Sequence, residues 1–116
     1  MRIHIKTTQL ESTPSLETYI DRKLENISRL LKNIDKDGVA ELWLEVGRTT
    51  RHHHKGLVFR AEADLKLPGK VLRAVEENID IRTALDLMKD KLHLEIEKYK
   101  TKLIRRPRRV ERRMGA

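Results

Sequence analysis

No cysteine occurs among the 116 residues, so a disulfide framework and thiol chemistry are excluded, and a reducing cytoplasm is compatible. No apolar run approaches the roughly 20 residues needed to span a bilayer, and the opening MRIHIK lacks the apolar core of a secretory signal. The expectation is a soluble, unexported, cytoplasmic chain with no membrane partner. Catalytic signatures are missing as well. There is no glycine-rich phosphate loop and no H-E-x-x-H, and the only serines, Ser12, Ser15 and Ser28, fall at or inside the first helical segment rather than on a nucleophile turn. Asp86 and Asp90 form a carboxylate pair, but on an open helix face without the enclosed pocket that would separate their pKa values. These absences point to a binding protein rather than an enzyme, with no cofactor and no metal.

What is abundant is positive charge, and it is unevenly placed. Residues 1–50 carry eight Lys/Arg and eight Asp/Glu, residues 51–80 carry six and five, and residues 81–116 carry twelve and five. Nearly all of the net +8 therefore lies in the last third. Such asymmetry points to nucleic acid or another anionic surface. A solvated helix with a basic tail would carry the same charge, so charge alone leaves both readings open.

The chain length suits one domain with a single core, and no internal repeat is present. Residues 2–8 alternate, with Ile3 and Ile5 on one face and His4 and Lys6 on the other, as in a short half-buried strand. Thr13 is a good N-cap and Pro14 fits the first turn of a helix. Its apolar face is Leu16, Tyr19, Ile20, Leu24, Ile27, Leu30, Leu31 and Ile34, ending at Asp35-Lys36-Asp37-Gly38. From Val39 the period becomes two. Ala40, Leu42, Leu44 and Val46 alternate with polar neighbours, and after a basic connection the pattern returns from Leu57 to Leu67, which predicts an antiparallel hairpin. Pro68-Gly69 makes the next turn, Val71 to Glu77 reads as a further strand, and Asp80 caps a long helix. The order is β-α-β-β-β-α, an α+β fold with a four-stranded sheet and two helices side by side on one face.

The last helix, from Asp80 to Arg106, carries both the longest apolar stripe (Ile81, Ala84, Leu85, Met88, Leu92, Ile96, Tyr99, Leu103) and the densest basic charge. One shoulder holds Lys91, Lys98, Lys102 and Arg105; the other holds Arg82, Lys89 and Lys100. Asp86, Asp90 and Glu97 are expected opposite the stripe, pointing away from any bound anion. Lys91, Lys98 and Lys102 are expected to face one ridge of phosphates together with Arg22 and Arg29 of the first helix. The helix should stop before Pro107, because a residue preceding proline is disfavoured in α geometry. That gives a domain over 1–106 and a disordered basic tail over 107–116.

Two local features carry less. Three consecutive histidines, His52 to His54, sit in the hairpin connection without the spacing of metal ligands or a carboxylate to complete a set, which favours a solvated turn able to contact phosphate. Trp43, the only tryptophan, shares the outer sheet face with Glu41 and Glu45. Packing under long charged side chains outweighs a partner contact there.

The stretch LRAVEENIDIRTALDLMKDKLHLEIEKYKTKL resembles the pattern L-R-A-x-x-E-x-x-D-M-Y-A-A-I-D-x-x-x-D-K-L-x-R-Q-L-x-K-Y-K of the ribosome hibernation promoting factors, a family also called ribosome-associated inhibitor or ribosomal subunit interface proteins and formerly sigma-54 modulation proteins. Leu72, Arg73, Ala74, Glu77, Asp80, Ala84, Asp86, Asp90, Lys91, Leu92, Lys98, Tyr99 and Lys100 stand in register. Leu16, Tyr19, Ile20, Lys23, Leu24 and Arg29 of the first helix also resemble the family, and the likeness covers about residues 1–104. Ile81, Arg82, Leu94, Glu95 and Ile96 depart from the pattern. The resemblance implies a fold similar to a double-stranded-RNA-binding domain. It implies a short-form factor, monomeric off the ribosome, that binds the small ribosomal subunit in the mRNA and tRNA channel, blocks translation sterically and preserves idle ribosomes. The ribosomal RNA contacts would come from Arg22, Lys23, Arg29, Arg82, Lys89, Lys91, Lys98, Lys100, Lys102, Arg105 and Arg106. A general binder of structured RNA, not dedicated to ribosomes, is the alternative.

Overall fold

The computed structural model describes residues 1–49 and 58–115, with side chains of the last helix described through residue 103. Six elements follow one another: β1 (Arg2–Thr8), α1 (Pro14–Leu31), β2 (Glu41–Thr49), β3 (Val58–Leu67), β4 (Lys70–Asn78) and α2 (Ile81–Gly115). Helix α1 starts where its sequence says it should. The Thr13 hydroxyl accepts the Leu16 N–H at 3.2 Å, and Pro14 occupies the first turn, where its missing N–H costs nothing. The chain then turns at Gly38, whose φ of 66° suits a residue without a Cβ, and Asp35 accepts the Ala40 N–H at 3.0 Å to lead into β2.

The sheet order is β1-β2-β3-β4. Strand β1 runs parallel to β2, with α1 as the crossover a parallel pair requires; the other two pairings are antiparallel hairpins. Register places Leu42 beside Leu65, Leu44 beside Ala63, and Leu65 beside Leu72. These side chains form the inner face and meet Leu16, Ile20, Leu24, Ile27 and Leu31 of α1 and Ala84, Leu85, Met88, Leu92 and Ile96 of α2. Each large apolar side chain buried there contributes about 1.5–3 kcal/mol. Among the described residues no polar residue is buried as a whole, although the Asp35 side chain is only 6% exposed, and no helix is long and apolar enough to cross a membrane.

The predicted architecture is the observed one, with three local differences. Ile3 and Ile5 do share the helix-side face with Leu42 and Leu44, yet they remain 41% and 48% exposed. Strand β1 is an edge, with a neighbour on only one side, so its inner face is incompletely covered. Leu103, taken as the end of the apolar stripe, is also exposed. Finally, α2 continues through Pro107 to Gly115 rather than stopping before the proline. An interior proline removes one backbone hydrogen bond and crowds the carbonyl four residues earlier, and the helical path is kept despite that cost. Leu57 and the histidine turn, residues 51–55, lie outside the described residues.

Candidate nucleic-acid interface

Helix α2 has two flanks, and they face different neighbours. On one flank Asp86 and Arg82 meet α1. One Asp86 carboxylate oxygen accepts the Tyr19 hydroxyl at 2.5 Å and the Lys23 ammonium at 2.7 Å. Arg82 donates to the Ser15 hydroxyl at 2.7 Å. The Lys23 ammonium and the Arg82 guanidinium also lie over the Tyr19 ring, 5.0 and 5.3 Å from its centroid, within cation–π range. Lys89 and Lys100 share this flank by helical spacing, about two and about five turns along from Arg82. Both are half-buried, within 3.9 Å of Asp90 and Glu97 respectively.

On the other flank Lys91 reaches the sheet edge, donating to the Val75 carbonyl at 3.3 Å and pairing with Glu76 at 2.6 Å. Tyr99 donates to the Pro68 carbonyl at 3.0 Å, so α2 runs back along β4 toward the turn that begins it. Lys98 and Lys102 follow Lys91 at helical spacing, both exposed, with Lys98 3.7 Å from Glu95.

The expectation that Lys91, Lys98 and Lys102 would join Arg22 and Arg29 on one ridge is therefore corrected: α1 lies against the opposite flank. Residues five apart on a helix, such as Asp86 and Lys91, differ by about 140° in direction, and Asp86 is the one that meets α1. Arg82 is the α2 cation in contact with α1, with Lys23 across the seam and Lys89 close enough to act on Asp86; Lys100 follows on the same flank by helical spacing. Arg22 and Arg29 are exposed on the solvent side of α1, and neither forms an ion pair with the described residues. The placement of Asp86 is corrected too. It is part of the seam, whereas Asp90 and Glu97 remain exposed on the outer side. The side chains of Arg105 and Arg106 are outside those described.

Seam electrostatics follow from this geometry. The hydrogen bond to Asp86 is the main reason the Tyr19 hydroxyl is held above its ordinary pKa, with burial adding to it. The same carboxylate raises the Lys23 ammonium, against the opposing effect of burial. For Asp86 itself burial pushes upward, but hydrogen bonds from Lys23 and Tyr19 and the charges of Lys23 and Lys89 outweigh it, so the carboxyl is held below its usual value. All three groups keep their neutral-pH forms: a carboxylate, an ammonium and a phenol.

Tyr19 as an interfacial group was not foreseen, since its position in the α1 apolar pattern reads as core. A signal existed: Tyr19 and Lys23 are four apart and must share a face. Nothing in that spacing says which residue of α2 lies opposite. On the other side of the sheet Trp43 stacks on His4, ring centroids 5.2 Å apart, and stays 41% exposed.

The family model for sigma 54 modulation protein / S30EA ribosomal protein matches residues 3–104. The chain is 30% identical over 106 residues to the ribosome hibernation promoting factor of Azotobacter vinelandii, covering 91% of this chain and 89% of that protein. It is 26% identical over 108 residues to the ribosome hibernation promotion factor of Staphylococcus aureus (strain COL), covering 93% of this chain and 53% of that one. The chain spans about half the length of the longer curated relatives that it matches. Among solved structures, a ribosomal subunit interface protein from Coxiella burnetii superposes with a TM-score of 0.68 at 24% identity, over 87% of this chain and 99% of that one; that likeness shows the fold. With its model matching nearly the whole of the described domain, the family is established: this chain belongs to the sigma 54 modulation protein / S30EA ribosomal protein family.

Proposed function

We propose that this chain is a ribosome hibernation factor that docks its helical face on ribosomal RNA of the small subunit, in the channel used by mRNA and tRNA, and silences the idle particle by occupying it. The observation that carries the reading is the α1/α2 seam. In a member of this family, two adjacent helices present Lys23, Arg82 and Lys89 along one junction, with Lys100 farther along the same flank of α2 and Arg22 and Arg29 on the solvent side of α1. Such a surface neutralises phosphates by position rather than by reading bases, which suits folded RNA. Lys91, Lys98 and Lys102, on the β4 flank, add charge at a separate place. Inhibition is by exclusion and involves no covalent step, and its place of action is the cytoplasm, with the ribosome.

Sedimentation through a sucrose gradient tests this. The chain, mixed with vacant small subunits and a mass excess of transfer RNA, should migrate with the subunits and keep a messenger fragment from joining them. Migration in proportion to total RNA, with messenger binding undisturbed, would instead mark a general binder of structured RNA.

A further inference from the structure

The seam contains a carboxylate where a surface built only to attract phosphate would have none. Asp86 is half-exposed, with 44% of its side chain open to solvent, and it stands among Lys23, Arg82 and Lys89. An unscreened anion in that position repels RNA. It also occupies Lys23, whose ammonium is 2.7 Å away, and so reduces the pull of that lysine on any polyanion that passes. The same oxygen accepts the Tyr19 hydroxyl, and the Tyr19 ring lies against both cations. Arg82 is further tethered to Ser15. Five side chains from two helices thus hold one another in place. The ammonium and the guanidinium stand at a set separation instead of sweeping the volume open to free side chains.

We propose that Asp86 is the specificity-determining residue of this seam: by holding Lys23 and Tyr19 on one oxygen it withholds charge from loosely approaching polyanions, while presenting Lys23 and Arg82 in the one arrangement that fits a folded RNA backbone. The inference rests on the ribosomal reading above and deepens it. Affinity for RNA of the wrong shape comes almost entirely from counterion release, which counts available cations and ignores where they are. Affinity for a folded site depends on positions as well, because an unpositioned lysine must be ordered at the moment of binding. Asp86 therefore lowers the first and raises the second.

The test compares two RNAs and two variants. Binding of the unmodified chain, Asp86→Asn and Tyr19→Phe to polyuridylate and to vacant small subunits is measured across a salt series, with circular dichroism confirming that each is folded at the assay temperature. Asp86→Asn should bind polyuridylate several-fold more tightly, with a salt slope steeper by about 0.7, the value for one added phosphate on a single strand. It should bind the small subunit more weakly, so that the preference between the two falls by about tenfold. Tyr19→Phe keeps the ring and the pair between Lys23 and Asp86 and should shift the preference by much less than Asp86→Asn. The inference is overturned if Asp86→Asn loses affinity for both RNAs in parallel, as a mere helix staple would, or gains for both in parallel, as a pure charge effect would. It is overturned equally if Tyr19→Phe shifts the preference as far as Asp86→Asn does. Absence of any preference in the unmodified chain would mark the failure of the ribosomal reading itself.

Discussion

Asp86 shows how much one residue's role depends on what lies across from it. Its position in α2 is legible from the sequence; its partners are not, because helical spacing gives an angle about one axis and says nothing of which neighbour fills it. The interaction it makes has a pH signature. Its carboxyl is held below the ordinary value, so its stabilising contribution is present above about pH 4, the unfolded carboxylate range, and is lost as pH falls through the depressed folded value. The Lys23 pKa is raised, so that half of the pair contributes below about pH 10.4, the unfolded lysine value, and is lost as pH rises through the folded one. The gap in melting temperature between the chain and Asp86→Asn should be widest between about pH 5 and 9, worth roughly 0.5–1 kcal/mol given the exposure of the pair, and should narrow on both sides. A gap that widened below pH 4 would contradict this assignment.

At the scale of elements, the sequence announces most of the fold, since the periods of 3.6 and 2 and the turns at Gly38 and Pro68-Gly69 are unambiguous. The Thr13 cap is a local device and is legible as such; Thr13→Ala should lower stability by about 1 kcal/mol, read as a shift in the urea midpoint with unchanged slope. Gly47 is different. It lies in β2 opposite Thr8, and a Cβ there would meet the Thr8 carbonyl oxygen and come within 2.9 Å of the Thr8 Cβ, a close approach that only the paired strands reveal. Gly47→Ala should cost about 1–3 kcal/mol, the range for overpacking, and should increase hydrogen exchange in β1 before it does so in β3. The end of α2 differs from the expected one because the rule about residues preceding proline is a local preference, which a helix begun some seven turns earlier can override. We expect residues 107–116 to add basic charge without defining the site. A chain ending at Arg106 should bind the small subunit less tightly, with a shallower salt slope, and leave the same footprint on ribosomal RNA. A displaced footprint would give the tail a placing role.

Across the whole molecule, charge separates by face. The outer side of the sheet carries Arg2, Lys6, Arg60, Lys66 and Arg73 against Glu41, Glu45, Glu62, Asp64 and Glu77. Arg60, Arg73, Glu62, Asp64 and Glu77 pair among themselves, as where Glu62 lies 2.8 Å from Arg60 and 3.2 Å from Arg73. That face offers a polyanion little. The helical side holds the surplus, and the sequence could place the surplus on α2 without saying that α1 would divide its two shoulders. The central claim, that the seam side of the helices meets RNA, is tested most directly by Arg22→Glu with Arg29→Glu, because both are exposed and outside the core, so the fold should be untouched. Affinity for vacant small subunits, measured between about 50 and 200 mM salt, should fall steeply, and the salt slope should drop by about one unit per lost contact. A folded double variant that bound as tightly as the unmodified chain, with the same slope, would show that RNA lies elsewhere.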